Sequence, residues 1–163
     1  MRTTTTSTAL VAAAILTTAN TCGPGTASVP AQDLLAQINA KRAAVGCQAV
    51  SGNDQLRAAA ERHAVDMRDN PAVRTDPNHK GSDGSTPQQR IAEAGYAPAS
   101  RTGEIMYFAL GPPGNSVQAN VDWWMNSPPH RALIEDCSFT HAGVGLLYPG
   151  GTQWFSVIDF GAH

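Results

Sequence analysis

Between Val121 and Phe139 the chain reads VDWWMNSPPHRALIEDCSF, and few conformations satisfy that order of residues. Val117, Val121, Trp124 and Met125 recur at i, i+4, i+7 and i+8, which predicts one apolar stripe on a helix. That helix is expected to stop near Asn126, because Pro128 and Pro129 cannot continue it and bias Ser127 away from helical angles. His130 is then expected just past a helix end, on a rigid Ser-Pro-Pro corner. Beside it lie a short apolar turn (Ala132, Leu133, Ile134) and Cys137. A titratable ring fixed in this way marks a candidate site.

The chain has 163 residues, 42% of them hydrophobic, enough for one domain with a single core. Its formal net charge is −2, with no basic run and no interleaving of basic and aromatic residues, which argues against a nucleic-acid partner. Residues 1–28 read as a signal peptide and short linker, and 29–163 as a single domain. The apolar run Ala9–Leu16 is too short to span a bilayer but suits a signal-peptide core, with cleavage expected after Ala27. Export follows, with no transmembrane segment in the mature chain, and a monomer is expected. Lipid anchoring through Cys22 is the lesser alternative, because Ala19 and Thr21 stand where a lipoprotein signal has a branched apolar and a small residue. Without Cys22, Cys47 and Cys137 remain, and an even pair in an exported chain suggests one disulfide. Closing a loop of that length stabilises by roughly 4–5 kcal/mol in the chain-entropy account.

From its start the mature chain predicts a helix over about Ala31 to Val45, stopped by Gly46, and a loop to Asn53. Asp54 is the expected N-cap of a second helix, whose stripe Leu56, Ala59, Ala60, His63, Ala64, Met67 is the clearest in the chain. His63 lies on that stripe and reads as a hydrogen-bonded core histidine rather than a ligand. Residues 70–87 read as loop, and Thr86-Pro87 as the N-cap and first residue of a short helix. Strands are predicted at Gly103–Leu110, His141–Tyr148 and Thr152–Phe160, the last two joined as a hairpin through Pro149, Gly150 and Gly151. Both faces of the final strand are largely apolar, which fits a sheet covered by helices on both sides.

Several motifs occur together in one order. Leu35-x-x-Ile38-Asn39-x-x-Arg42 is followed by Gly46-Cys47, then His79-Lys80-Gly81-Ser82-Asp83-Gly84 with Thr86-Pro87-x-x-Arg90-Ile91. Gly103-Glu104, Trp124-x-x-Ser127-x-x-His130, Cys137-Ser138-Phe139 and Gly143-Val144-Gly145 complete the set. This order resembles the CAP superfamily of cysteine-rich secretory proteins, antigen 5 and pathogenesis-related proteins, in its secreted bacterial branch. The resemblance covers nearly all of the mature chain. It implies an α+β fold, a three-layer α-β-α sandwich with a small, mostly antiparallel sheet. It also implies a cleft at the sheet edge lined by His79, Glu104 and His130, with Ser127 where animal and plant members carry a second glutamate.

Two imidazoles and a carboxylate form a possible His₂Glu shell for zinc, with His79, His130 and Glu104 as ligands. The same trio without metal is a hydrogen-bonded acid–base cluster, and both readings stand at this point. Ile105 replaces the usual asparagine after the glutamate, and Lys80 beside His79 would oppose a cation if it pointed inward. Catalysis has little support. There is no His-Glu-x-x-His helix and no Gly-x-Ser-x-Gly turn around Ser127. Asp122, Asp136 and Asp159 read as solvated or capping charges, and Glu104 has no evident carboxylate partner. The leading expectation is a secreted binding module for a small apolar ligand, or for an envelope or host component. Some members of the family are associated with sterol and lipid binding. The alternative is a zinc-dependent hydrolase acting on peptides or cell-wall material. Trp123 falls off the stripe of Trp124 and reads as a second core aromatic, partial exposure being its alternative.

Overall fold

The computed structural model describes Met1 and residues 28–163. The expected signal-peptide core and Cys22 lie outside the described residues. Helix α1 spans Val29–Ala44, starting two residues before the expected Ala31 because Pro30 is accommodated in the first turn, where its missing N–H is not needed. It buries Ala31, Leu34, Ile38 and Arg42, and the chain turns away at Gly46 with φ +83°. Strand β1, Ser51–Gly52, lies in a stretch expected to be loop; two residues carry no periodicity to read. It is placed by Asn39, whose Oδ1 accepts from the Val50 amide (2.9 Å) and whose Nδ2 donates to the Val50 carbonyl (3.1 Å).

Helix α2 spans Asp54–Asp69 and buries the six predicted stripe residues. Its N-cap is Asn53, not Asp54. Asn53 has extended angles and its side chain accepts from the Leu56 amide at 3.0 Å, leaving Asp54 in the first turn, where its charge suits the helix dipole. A 3₁₀ turn, Pro71–Thr75, follows within the expected loop. Helix α3, Pro87–Glu93, opens on Thr86 as expected, and Gln89 completes a capping box. Strand β2, Arg101–Ala109, precedes helices α4, Val117–Met125, and α5, Pro128–Ile134. Asn126 ends α4 as predicted. The two prolines, however, do not form a mere corner: they open α5, where missing N–H groups are tolerated, and place His130 in its first turn. Strands β3, His141–Leu147, and β4, Trp154–Ala162, close the chain.

The sheet has the order β1-β3-β4-β2, with β1 parallel to β3 and the other pairs antiparallel. Central β4 is buried at all nine positions, which explains its two apolar faces. One face carries Ile105, Val144, Ile158 and Phe160 under α1, α4 and α5, with Trp124 and Phe139 between. On the other, Ala60, Ala64 and Met67 of α2 cover Met106, Phe155 and Val157. Helix α2 lies directly on β3, because a Cβ at Gly143 or Gly145 would strike the backbone of Leu56–Arg57 or Ala60. The result is an α-β-α sandwich with β2 at one edge of the sheet.

Cys47 and Cys137 form the expected disulfide across 90 residues. Beside it the fully buried Arg42 donates to the carbonyls of Gln48 (3.1 Å), Ile134, Asp136 and Phe139 (each 2.9 Å). Together they fix the segment that follows α5. Cys47→Ser is expected to lose about 2–5 kcal/mol of unfolding free energy, the usual range for a native disulfide in a small exported domain. Urea unfolding of oxidised protein measures this, and an unchanged midpoint would contradict it.

Candidate functional site

A cleft of about 380 Å³ opens at the edge of β2. Consecutive residues Met106, Tyr107 and Phe108 all line it. Side chains alternate across a strand, so a wall shared by three successive residues lies on the strand's edge rather than on one face. The segment after α2 supplies Arg74, Asp76 and His79 from one layer, and α4–α5 supply Trp123 and His130 from the other.

His79 is aimed by its turn. The Asp76 carboxylate accepts from the amides of Asn78 (2.8 Å) and Lys80 (3.2 Å), and its carbonyl accepts from the His79 amide (3.1 Å). This turn holds His79 at φ +53°, a left-handed conformation that costs a residue with a Cβ about 1–3 kcal/mol and tends to be kept where a side chain must point one way. Lys80 faces solvent. Behind the ring, Glu104 Oε1 lies 3.0 Å from His79 Nδ1, and Glu104 Oε2 accepts from Arg90 Nη2 at 2.8 Å. Arg90 also donates to the carbonyls of Ser85 (2.9 Å) and His79 (3.1 Å). Burial alone would raise the Glu104 pKa. The His79 hydrogen bond and the Arg90 charge outweigh it and hold the carboxyl below its ordinary range. Glu104 is thereby held toward its anionic form and accepts a hydrogen bond from His79 Nδ1.

Across the cleft, the N-cap Ser127 makes no backbone cap; its Oγ lies 2.6 Å from His130 Nδ1. Pro128 and Pro129 offer no N–H, so the hydroxyl turns to the side chain one turn ahead. Burial, and then the nearby His79, lower the His130 pKa and favour its neutral form. Trp123 packs on His130 with centroids 4.9 Å apart and on Tyr107 at 5.5 Å. It is 49% exposed, so it is a cleft residue and not the core aromatic that its position off the stripe suggested. The expected quartet thus forms two pairs: His79 and His130 face the cleft, and Glu104 and Ser127 stand behind them.

Glu104 has both oxygens engaged and its side chain only 1% exposed, so it supports His79 instead of reaching a shared centre. Among the described residues no group of three or more His, Cys, Asp and Glu side chains is arranged to hold a metal ion. With both oxygens so paired, Glu104 does not stand with His79 and His130 around one point in this structure. The arrangement offers two imidazoles beside an apolar wall.

Three participants escaped the sequence. Arg74 donates to the carbonyls of Met67 (2.6 Å) and Arg68 (2.9 Å) while its guanidinium lies over Phe108 and Phe155, 5.8 and 5.0 Å from the ring centres. Arg90 had been read only as part of a motif. Asp159 is fully buried opposite Glu104, not a solvated or capping charge, and it gives Glu104 the carboxylate neighbour that the sequence did not reveal. His63 is buried as expected, but neither ring nitrogen has a hydrogen-bond partner among the described residues; Asp66 Oδ2 is 3.9 Å away.

Burial lowers the His63 pKa. The unfolded chain takes up a proton near the ordinary value of about 6.5, while folded His63 does so only at lower pH. The unfolded state then binds more protons, and the contribution of His63 to stability falls as pH drops through that window. Asp159, with its pKa raised, works in the opposite sense, so the His63 effect is isolated by difference. Relative to His63→Leu, wild type should lose up to ~1.4 kcal/mol per pH unit below about pH 6.5. Parallel stability–pH curves from urea unfolding would contradict this.

Residues 35–160 match the CAP family, described as the cysteine-rich secretory protein family. No curated protein matches the chain in sequence. Among solved structures, an outer surface protein of Borrelia burgdorferi superposes with a TM-score of 0.68 at 23% identity, over 81% of this chain and 91% of that one. An extracellular protein of Bacillus anthracis containing an SCP domain gives 0.68 at 22% identity, over 82% of this chain and 40% of its own. A cysteine-rich secretory protein of Staphylococcus aureus gives 0.62 at 15%, over 82% and 38%. At these identities the superpositions establish the fold, and the match over residues 35–160 makes this chain a member of the cysteine-rich secretory protein, or CAP, family.

Proposed function

We propose that the protein is an exported binding module whose β2-edge cleft receives a small amphipathic ligand of lipid or sterol type. The ligand's apolar body lies on Trp123, Met106 and Phe108, and its polar end meets His79 and His130. The observation that carries this reading is Trp123, a large apolar ring left half in water at the mouth of a cleft and braced by Tyr107 and His130. Covering such a ring is favourable, and indoles of this kind dominate binding energetics. Action outside the cell is supported by the Cys47–Cys137 disulfide and by the surface and extracellular descriptions of two structural relatives. Among the described residues no helix is long and apolar enough to cross a membrane.

Fluorescence titration with dansyl-undecanoate tests the reading. Saturable binding is expected in wild type. Trp123→Ala should weaken it about 30-fold, equivalent to ~2 kcal/mol for a central aromatic contact. His130→Ala should still capture the probe. No saturable binding in wild type, or an unchanged affinity in Trp123→Ala, would remove the proposal. Turnover of peptide or cell-wall substrates that disappears in His130→Ala would favour the hydrolase instead.

A further inference from the structure

A second cavity, of about 220 Å³, lies between helix α2, the loop that carries Ser82, Asp83 and Ser85, and Arg90 of α3. It shares no lining residue with the β2-edge cleft, and its wall is polar apart from Val65. His63 of α2 lines it. That side chain is 0% exposed, and neither ring nitrogen has a hydrogen-bond partner among the described residues. One turn further along α2, Asp66 brings its Oδ2 to 3.9 Å from His63 Nδ1. The two are too far apart to bond each other, but a single donor group about 2.9 Å from each would span the gap.

More acceptors gather beside this pair. A Cβ at Gly81 would come within 2.8 Å of Asp83 Oδ1, 2.9 Å of Ser85 Oγ and 3.1 Å of Asp66 Oδ2, so the glycine leaves room for three oxygens to converge. A neutral imidazole adds one bare ring nitrogen. The charges around the cavity are unevenly matched. Arg62 is engaged by Asp83 and Glu93, Arg90 by Glu104, and Asp69 by Arg68. Asp66 is held only by neutral donors, the Ser82 amide and the Asn70 side chain, each at 2.7 Å, and no lysine or arginine pairs with it among the described residues. Arg90 Nε also lacks a partner, but it is a donor and makes no demand for another N–H.

A carboxylate without a cation, next to a buried imidazole without a donor, calls for positive charge and several N–H groups at one point. An ammonium group has three donors and no acceptor, and its bonds to a carboxylate are of the stronger, charge-assisted kind. The cavity is smaller than the roughly 300 Å³ at which sites for drug-sized ligands begin, so it suits a head group on a short stem. We propose that this cavity is a second binding site, which takes the primary ammonium group of a small amine or of a lysine side chain. Asp66 Oδ2 and the bare nitrogen of His63 receive two of its N–H groups, and an oxygen of Asp83 or Ser85 receives the third. The site stands apart from the β2-edge cleft, and a failure of dansyl-undecanoate to bind there leaves it untouched.

A titration followed by two-dimensional ¹H–¹⁵N spectra at neutral pH tests the proposal, with the His63 ring and the amides of Asp66, Ser82 and Ser85 as reporters. Butylammonium chloride should move them saturably. Tetramethylammonium chloride, with the same charge and no N–H, and butan-1-ol, with the same stem and no charge, should not do so at equal concentration. Nα-acetyl-lysinamide, whose one ammonium is on its side chain, separates the two sources: its binding supports a lysine of a partner protein, and binding of butylammonium alone supports a free amine. Asp66→Asn, which keeps the size of the side chain and removes its charge, should weaken either amine about tenfold or more. His63→Phe should weaken them in the same direction. Reporters that respond to neither amine, as at a site that holds water alone, would overturn the proposal. So would equal responses to tetramethylammonium or butan-1-ol, or an undiminished affinity in Asp66→Asn whose amide spectrum shows it folded.

Discussion

The buried Arg90–Glu104 ion pair joins parts of the chain that have no other reason to meet. Both side chains are 1% exposed, one on α3 and one on edge strand β2. Taking two charges out of water is costly, and the pair is tolerated because each partner has its remaining hydrogen-bonding groups largely occupied. Arg90 also donates from Nη1 and Nη2 to the carbonyls of Ser85 and His79, and so stitches the loop after α2 to the sheet. Glu104 spends its other oxygen on the His79 ring. Removing either charge would leave its partner buried and alone, the situation in which pairs of this kind cost most. The left-handed conformation at His79 is affordable because its amide, carbonyl and ring are all held from different elements.

The opposite wall of the cleft is built by other means. Position 130 is set by covalent and backbone constraints rather than by buried charge. Proline pairs start α5, the Cys47–Cys137 bond holds the chain beyond it, and Arg42 gathers three carbonyls from the same segment. The two imidazoles therefore approach from layers that are anchored independently, with β2 between them. Such an arrangement holds the two walls of the cleft apart, and leaves Trp123 as its most exposed apolar surface.

Helix periodicity made α2 and α4 legible because their stripes are long and regular, and the hairpin was legible from Pro149-Gly150-Gly151. The disulfide followed from compartment and count. What the residues alone did not disclose depends on register and on the third dimension. Asp159 looks like any polar residue in an alternating strand until β4 is paired with β2, when it falls opposite Glu104. The signal was present in the sequence as a charge amid a run buried on both sides. Trp123 sits off the helical stripe, and the stripe alone does not separate a second core aromatic, as it was read, from a ring left half in water at a cleft. His63 carried the right burial and the wrong partners: the stripe reports which side a residue faces, not whether anything there can bond it. Asn53 and Asp54 are both good caps, and only the backbone angles separate them. Pro128 and Pro129 were correctly read as the end of one helix, but a proline that ends one helix can equally open the next.

The account turns on where a ligand goes. Two-dimensional ¹H–¹⁵N spectra that include the indole and imidazole groups, recorded while dansyl-undecanoate is added, test that most directly. Binding at the β2 edge predicts shifts at the Trp123 indole, at the amides of Met106–Phe108 and at the rings of His79 and His130. The buried Trp154 indole and the Tyr96–His141–His163 cluster at the other end of the sheet should stay still. Shifts that gather at that cluster while Trp123 does not move would contradict it.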